Sequence, residues 1–275
     1  SANRRTSDSP SPGPTPAITA VRVIADPMGA VDKTVSSSGF LPSAVDRSHM
    51  GRLDDETVIV TGASRGLGAS MANRFAREGA NTVLSARSEA ELESVAAEAG
   101  GETLVVPADV TDEAAVKALV GAAVEEYGEL TGLVNNAAVG LLSLYDERRE
   151  ITEVDAEDWR FVMEVNVTGA FLCAKHAVPE IETGNVVNIS SGLGRRGAAG
   201  WGPYVASKWA IEGFSRTLAY ELEPEINVNC LDPGGRVETG FWDHLPEDER
   251  ESILDSDVMD DAAVALLAQD PGGVT

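Results

Sequence analysis

The stretch VIVTGASRGLGASMANRFAREG, residues 58–79, decides the fold. Residues 58–62 form a short apolar, β-branched run that reads as a buried strand, and 68–79 read as a helix closed by Gly79. Between them lies TGASRGLG, 61–68. Gly62 allows a tight turn, and Gly66 and Gly68 let backbone approach a phosphate and let helix pack on strand. A helix N-terminus after such a loop offers unpaired N–H groups and a positive dipole end to a pyrophosphate. The spacing Gly-x-x-x-Gly-x-Gly differs from the standard Gly-x-Gly-x-x-Gly dinucleotide fingerprint.

The same alternation continues downstream. Strands are predicted at 81–86, 103–110, 130–139, 184–191 and 225–234, with helices at 88–100, 112–128, 156–180 and 201–220. Regular β-α alternation with apolar strands implies an α/β, Rossmann-type, doubly wound parallel sheet in a single domain. Residues 1–49 break this pattern. They are Ser/Pro-rich, lack sustained periodicity, and read as a disordered leader or non-native extension, leaving 50–275 as the domain.

The formal charge is −24, and residues 50–275 hold 16 basic against 41 acidic residues. Such a surface repels nucleic acid and anionic membranes, and with few lysines it suits a salty, halophilic cytoplasm. No apolar run reaches the ~20 residues of a membrane span. Cys173 and Cys230 form no Cys-x-x-Cys and read as buried free thiols. His49, His176 and His244 are scattered without metal-ligand spacing, so no metal is expected.

In WGPYVASKWAIEGFSRTLAY, 201–220, Tyr204 and Lys208 are four apart on one helix face. A cation beside a phenol favours the phenolate, so the pair makes an acid/base unit with a Tyr pKa drawn toward neutrality. Together with the Gly-rich loop and Asn135-Asn136-Ala137-Ala138, this constellation resembles the short-chain dehydrogenase/reductase family over roughly residues 53–270.

The resemblance implies roles residue by residue. Tyr204 is the proton donor/acceptor, Lys208 its partner and a nicotinamide-ribose ligand, Ser191 the holder of the substrate oxygen, and Asn166 part of a water relay. It also implies cofactor contacts from Gly62, Ser64, Arg65, Gly66, Leu67, Gly68, Asn136 and Ala137. Asp109-Val110 would meet adenine, and Pro233, Gly234 and Thr239 the carboxamide. Ala138 replaces the family's Gly, PGGRVET has an additional residue before Thr239, and a seventh strand after the sixth is missing. The expected partners are a small carbonyl or alcohol substrate and further copies of the chain as homodimer or homotetramer.

Cofactor choice follows from charge. An NAD site wants a carboxylate at the end of the second strand, but Ala86 and Arg87 stand there, and Arg65 lies in the Gly-rich loop. Two guanidinium groups suit a 2′-phosphate, so NADP(H) is expected. The expected function is hydride transfer between NADP(H) and a carbonyl/alcohol pair. One alternative is a 3-oxoacyl-carrier-protein reductase whose Arg195 and Arg196 meet a phosphopantetheine phosphate. The other is a non-catalytic NADP-binding regulatory protein.

Overall fold

The computed structural model describes residues 20–23, 51–145, 147–239 and 253–271. A seven-stranded sheet runs β1-β7-β6-β5-β2-β3-β4. Its strands are β1 (Ala20–Val23), β2 (Thr57–Thr61), β3 (Asn81–Ser85), β4 (Thr103–Val105), β5 (Gly132–Asn135), β6 (Gly184–Ile189) and β7 (Ile226–Asp232). β2 to β7 are all parallel, and the strand order reverses between β2 and β5. In such a sheet the crevice beyond the strand C-termini at that reversal takes the ligand.

Because side chains alternate along a strand, β2 feeds two cores. Val58 and Val60 join the cluster built with α1 (Gly66–Arg77), α2 (Glu89–Ala99) and a last helix, α8 (Asp260–Leu267). Ile59 joins the opposite cluster with α3 (Glu113–Tyr127), α6 (Gly169–Ala177) and Leu218 of α7 (Gly202–Leu222). Fully buried Phe75, Met71, Leu84 and Leu133 each contribute about 1.5–3 kcal/mol by burial. Asp112 caps α3, accepting from the N–H groups of Ala114 at 2.9 Å and Ala115 at 3.3 Å. No helix among the described residues is long and apolar enough to cross a membrane.

Two expectations need correction. Ala20–Val23 lies within the segment read as a leader, yet it pairs antiparallel with β7, from Ala20↔Asp232 to Val23↔Asn229. β7 would otherwise present an open row of backbone donors and acceptors, and a short segment suffices to pair them. The edge expected to lack a strand is therefore occupied from the N-terminal side. The rest of residues 1–49, and Met50, lie outside the described residues. The helix expected over 156–180 is also not continuous. It runs as α5 (Ala156–Met163), a π-helical turn (Glu164–Thr168) and α6, followed by a 3-10 turn (Val178–Glu180).

Asp260, the first residue of α8, is 9% exposed. Its Oδ2 accepts from Ser70 Oγ at 2.8 Å, while Oδ1 is buried without a partner. Burial is the main cause that pushes its carboxyl up to about 6, against the Ser70 hydrogen bond. A raised carboxyl pKa means the native state holds the proton that the unfolded chain has released. The cost is therefore complete above pH ~6 and fades as pH falls toward ~4. Asp260→Asn is expected to raise the melting temperature at pH 7, with a gain that shrinks steadily on acidification. A gain independent of pH contradicts this.

Candidate active site

The C-terminal ends of the parallel strands open into a cleft of about 900 Å³. At one end the Gly-rich loop enters α1. Gly62 has φ +66°, and a Cβ there would lie 2.8 Å from Ala137 Cα. At Gly68 a Cβ would lie 2.3 Å from the Gly62 carbonyl oxygen. The first turn of α1 has no acidic residue, and its N-cap, Arg65, makes no side-chain cap hydrogen bond. Its N–H groups and dipole are thus left for an external anion, which fits a dinucleotide pyrophosphate.

The sequence-derived residues mostly converge on this cleft. Gly62, Ser64, Arg65, Leu67 and Gly68 line one end, with Arg87, Asp109 and Val110 beside them. Asn136, Ala137, Ser191, Tyr204, Lys208, Pro233, Gly234 and Thr239 line the remainder. Gly66 stands behind the lining, with its Cβ position 3.1 Å from Thr239 Cα. Asn136 uses its side chain to tie β5 to the loop, donating to the carbonyls of Thr61 at 2.9 Å and Gly62 at 3.1 Å. Asp109 Oδ1 accepts from Thr111 Oγ1 at 2.7 Å, which fixes its carboxylate at the rim. Glu91 also stands on the rim near Arg87, an acid not foreseen there.

Ser191 ends the segment after β6 and caps a 3-10 turn, accepting from Leu193 N–H at 3.2 Å. Its hydroxyl also hydrogen-bonds the Tyr204 phenol, a contact that favours the phenolate. Neighbouring Ser190 turns away and donates to Glu212 at 2.7 Å. Lys208 is 3% exposed, donates to the Ile189 carbonyl at 2.8 Å, and holds its Nζ 5.6 Å from the Tyr204 ring centroid. Burial draws Lys208 down to about 8, opposed by the fields of Cys230 and Asp232. Burial likewise pushes Tyr204 up to about 12, opposed by Ser191 and reinforced by Asp232. In this arrangement desolvation outweighs the lowering expected from Lys208.

Asn166 sits outside the cleft lining, in the π-helical turn. It accepts from Val139 N–H at 2.7 Å and donates to the Val139 carbonyl at 2.9 Å and to Ser207 Oγ at 3.0 Å. It satisfies both backbone groups of Val139 and fixes the residue next to Lys208. π-bulges of this kind recur at functional sites.

One feature escaped the sequence reading. Arg195 bonds two buried carboxylates, Glu212 of α7 at 3.2 Å and Asp232 at the end of β7. Asp232 in turn accepts from Gly234 N–H at 2.9 Å. The clamp joins the Ser191 segment, the Tyr204 helix and the Pro233-Gly234 turn. Its signal was a carboxylate on the buried face of α7, beside Ile211 and Ser215, which required a cation. Arg195 is thereby held by these two acids, and of the Arg195-Arg196 pair it is Arg196 that lines the cleft. Breaking a buried ion pair from one side costs about 3–5 kcal/mol. As Arg195 is 35% exposed, Arg195→Met is expected to lose about 3 kcal/mol in urea unfolding, partly restored by adding Glu212→Gln. A loss below about 1 kcal/mol, the value of a surface pair, contradicts the clamp.

Comparison with known proteins agrees with this geometry. Residues 56–250 match the family model described as short chain dehydrogenase. The chain is 37% identical over 195 residues to trans-4-hydroxycyclohexanecarboxylate dehydrogenase of Sinomonas cyclohexanicum, covering 66% of this chain and 73% of that protein. It is 39% identical over 183 residues to the NADPH-dependent pterin aldehyde reductase of Arabidopsis thaliana, covering 65% and 74%. Carveol dehydrogenase from Mycobacterium avium, solved in complex with NAD, superposes with TM-score 0.75 at 25% identity, covering 82% of this chain and 95% of that one. With its fold, glycine-rich loop and Ser191, Tyr204 and Lys208 gathered in one cleft, this chain belongs to the short-chain dehydrogenase family of oxidoreductases.

Proposed function

We propose that this protein interconverts a carbonyl and an alcohol with NADP(H), using Tyr204 as the proton carrier. The observation that carries this reading is the Ser191 hydroxyl bonded to the Tyr204 phenol above the buried Lys208 ammonium. When bound, the nicotinamide supplies or accepts hydride and, in its oxidised form, carries a positive charge. In reduction, Ser191 Oγ donates to the substrate carbonyl oxygen, and Tyr204 Oη delivers the proton that completes the hydroxyl. Lys208 stabilises the phenolate left behind. Asn166 holds the Ser207 hydroxyl, next to Lys208, and the backbone of Val139, so it positions the pair. A non-catalytic NADP-binding protein would have no use for phenol, hydroxyl and ammonium in mutual reach.

The cofactor form rests on Arg65 and Arg87 at the nucleotide end. A 2′-phosphate between them gains charge-assisted hydrogen bonds that a 2′-hydroxyl does not. Relatives divide on this point, since the Arabidopsis reductase is NADPH-dependent and the carveol dehydrogenase was solved with NAD.

Two outcomes follow from the assignment. In fluorescence titration NADP(H) is expected to bind about tenfold or more tightly than NAD(H), with Arg87→Asp reversing the order. Equal affinities in the parent contradict it. On a panel of ketones assayed at low and molar salt, Tyr204→Phe is expected to lower kcat by about 10²–10⁴ while cofactor affinity is kept. Near-parent turnover by Tyr204→Phe ends the proton-carrier assignment.

A further inference from the structure

The chain carries a net charge of −24, yet its cleft does not share that sign. Among the described residues its lining includes Arg65, Arg87, Arg148, Arg196 and Arg236 against Glu91 and Asp109. Both acids, with Arg65 and Arg87, belong to the nucleotide end. Around Ser191 and Tyr204 the described lining is cationic.

Arg148 and Arg196 reach that region from separate segments. Arg148, from the loop after α4 (Leu142–Tyr145), holds its guanidinium carbon 5.5 Å from the Trp201 ring centroid. Trp201 meets the Tyr204 ring edge-on at 5.7 Å. Arg196 places Nη2 and Nε 3.9 and 4.0 Å from the Cβ position of Gly192, the residue after Ser191. Two guanidinium groups thus stand near the reacting oxygen, one a Trp ring away and one beside Ser191.

Both are exposed, and among the described residues neither is held by a carboxylate. Among the described residues Arg52, Arg74, Arg149 and Arg195 each pair with an acid, and no such pair includes Arg148 or Arg196. The contrast is sharpest between neighbours. Arg149 pairs with Glu147 at 3.2 Å and stacks on Tyr145, while Arg148 turns to the cleft. Strong guanidinium donors placed at the substrate end of a cleft favour an anionic ligand group.

We infer that the substrate carries an anionic group, a carboxylate or a phosphate, a short carbon chain or ring away from the reacting carbonyl, and that Arg148 and Arg196 bind it. This rests on the carbonyl/alcohol activity proposed above and names its substrate class. Oxygens of fixed negative charge make use of both cations, whereas a neutral ketone forms no charge-assisted bond of that strength to either.

The test compares matched ketones with NADPH: levulinate against levulinamide, and hydroxyacetone phosphate against hydroxyacetone, with cyclohexanone as neutral reference. The anionic member of at least one pair is expected to show about tenfold or higher kcat/KM, the worth of one charge-assisted hydrogen bond. The pair that shows it tells carboxylate from phosphate. In Arg148→Met and Arg196→Met the anionic preference is expected to fall below about twofold, with NADPH titration confirming the fold. In the parent alone the preference should shrink with added salt, which tests the inference even if a variant does not fold. Turnover of neutral ketones with no anionic preference in either pair overturns this inference and leaves the carbonyl/alcohol reading standing. Absence of turnover for every ketone overturns both.

Discussion

Burial of one ammonium group organises the functional half of this molecule. Lys208 lies under the cleft floor at 3% exposure, with its Nζ on the Ile189 carbonyl at 2.8 Å. A charge so placed must be matched by oriented dipoles or it is neutralised. The match requires the end of β6, the middle of α7 and the end of β7 to be held in register. Glu212 and Asp232, joined by Arg195, bind those same three elements one helical turn further along the same face of α7. The acid/base geometry therefore depends on a buried polar framework as much as on the apolar cores.

The charge distribution has a functional logic. Most acidic residues lie away from the cleft, which keeps the surface hydrated and self-repelling. Along the described lining of the cleft the sign inverts, with arginines outnumbering acids. Arginine stays charged at any working pH and offers planar donors that suit phosphate and carboxylate. An anionic molecule approaching the protein meets repulsion over most of the surface and attraction at one opening. That contrast favours selectivity.

What the sequence made legible was local. Gly-x-x-x-Gly-x-Gly between strand and helix, and Tyr204 four residues before Lys208, follow from spacing alone. The six parallel strands follow from apolar runs of strand length. What it hid was non-local or a matter of desolvation. Arg195, Glu212 and Asp232 come from three segments, and only the fold shows that one cation answers two acids. β1 is four residues in a Ser/Pro-rich stretch, and its pairing with β7 has no periodic signature. The π-helical turn reads as ordinary helix, because its residues keep an apolar stripe. Desolvation of Tyr204 is hidden for the same reason: proximity of a cation is visible in sequence, and the cost of burying the phenolate is not.

The central claim is that Tyr204 is the group that gives and takes the proton. The phenol is held high by burial, and the positive charge of an oxidised nicotinamide beside it would favour the phenolate. The chain has four tyrosines, so a single phenol can be followed by ultraviolet difference titration. With NADP bound, the parent should show one phenol ionising well below the ordinary value of ~10, and Tyr204→Phe should lack it. Coincident titrations of the parent and Tyr204→Phe in that range would contradict the account.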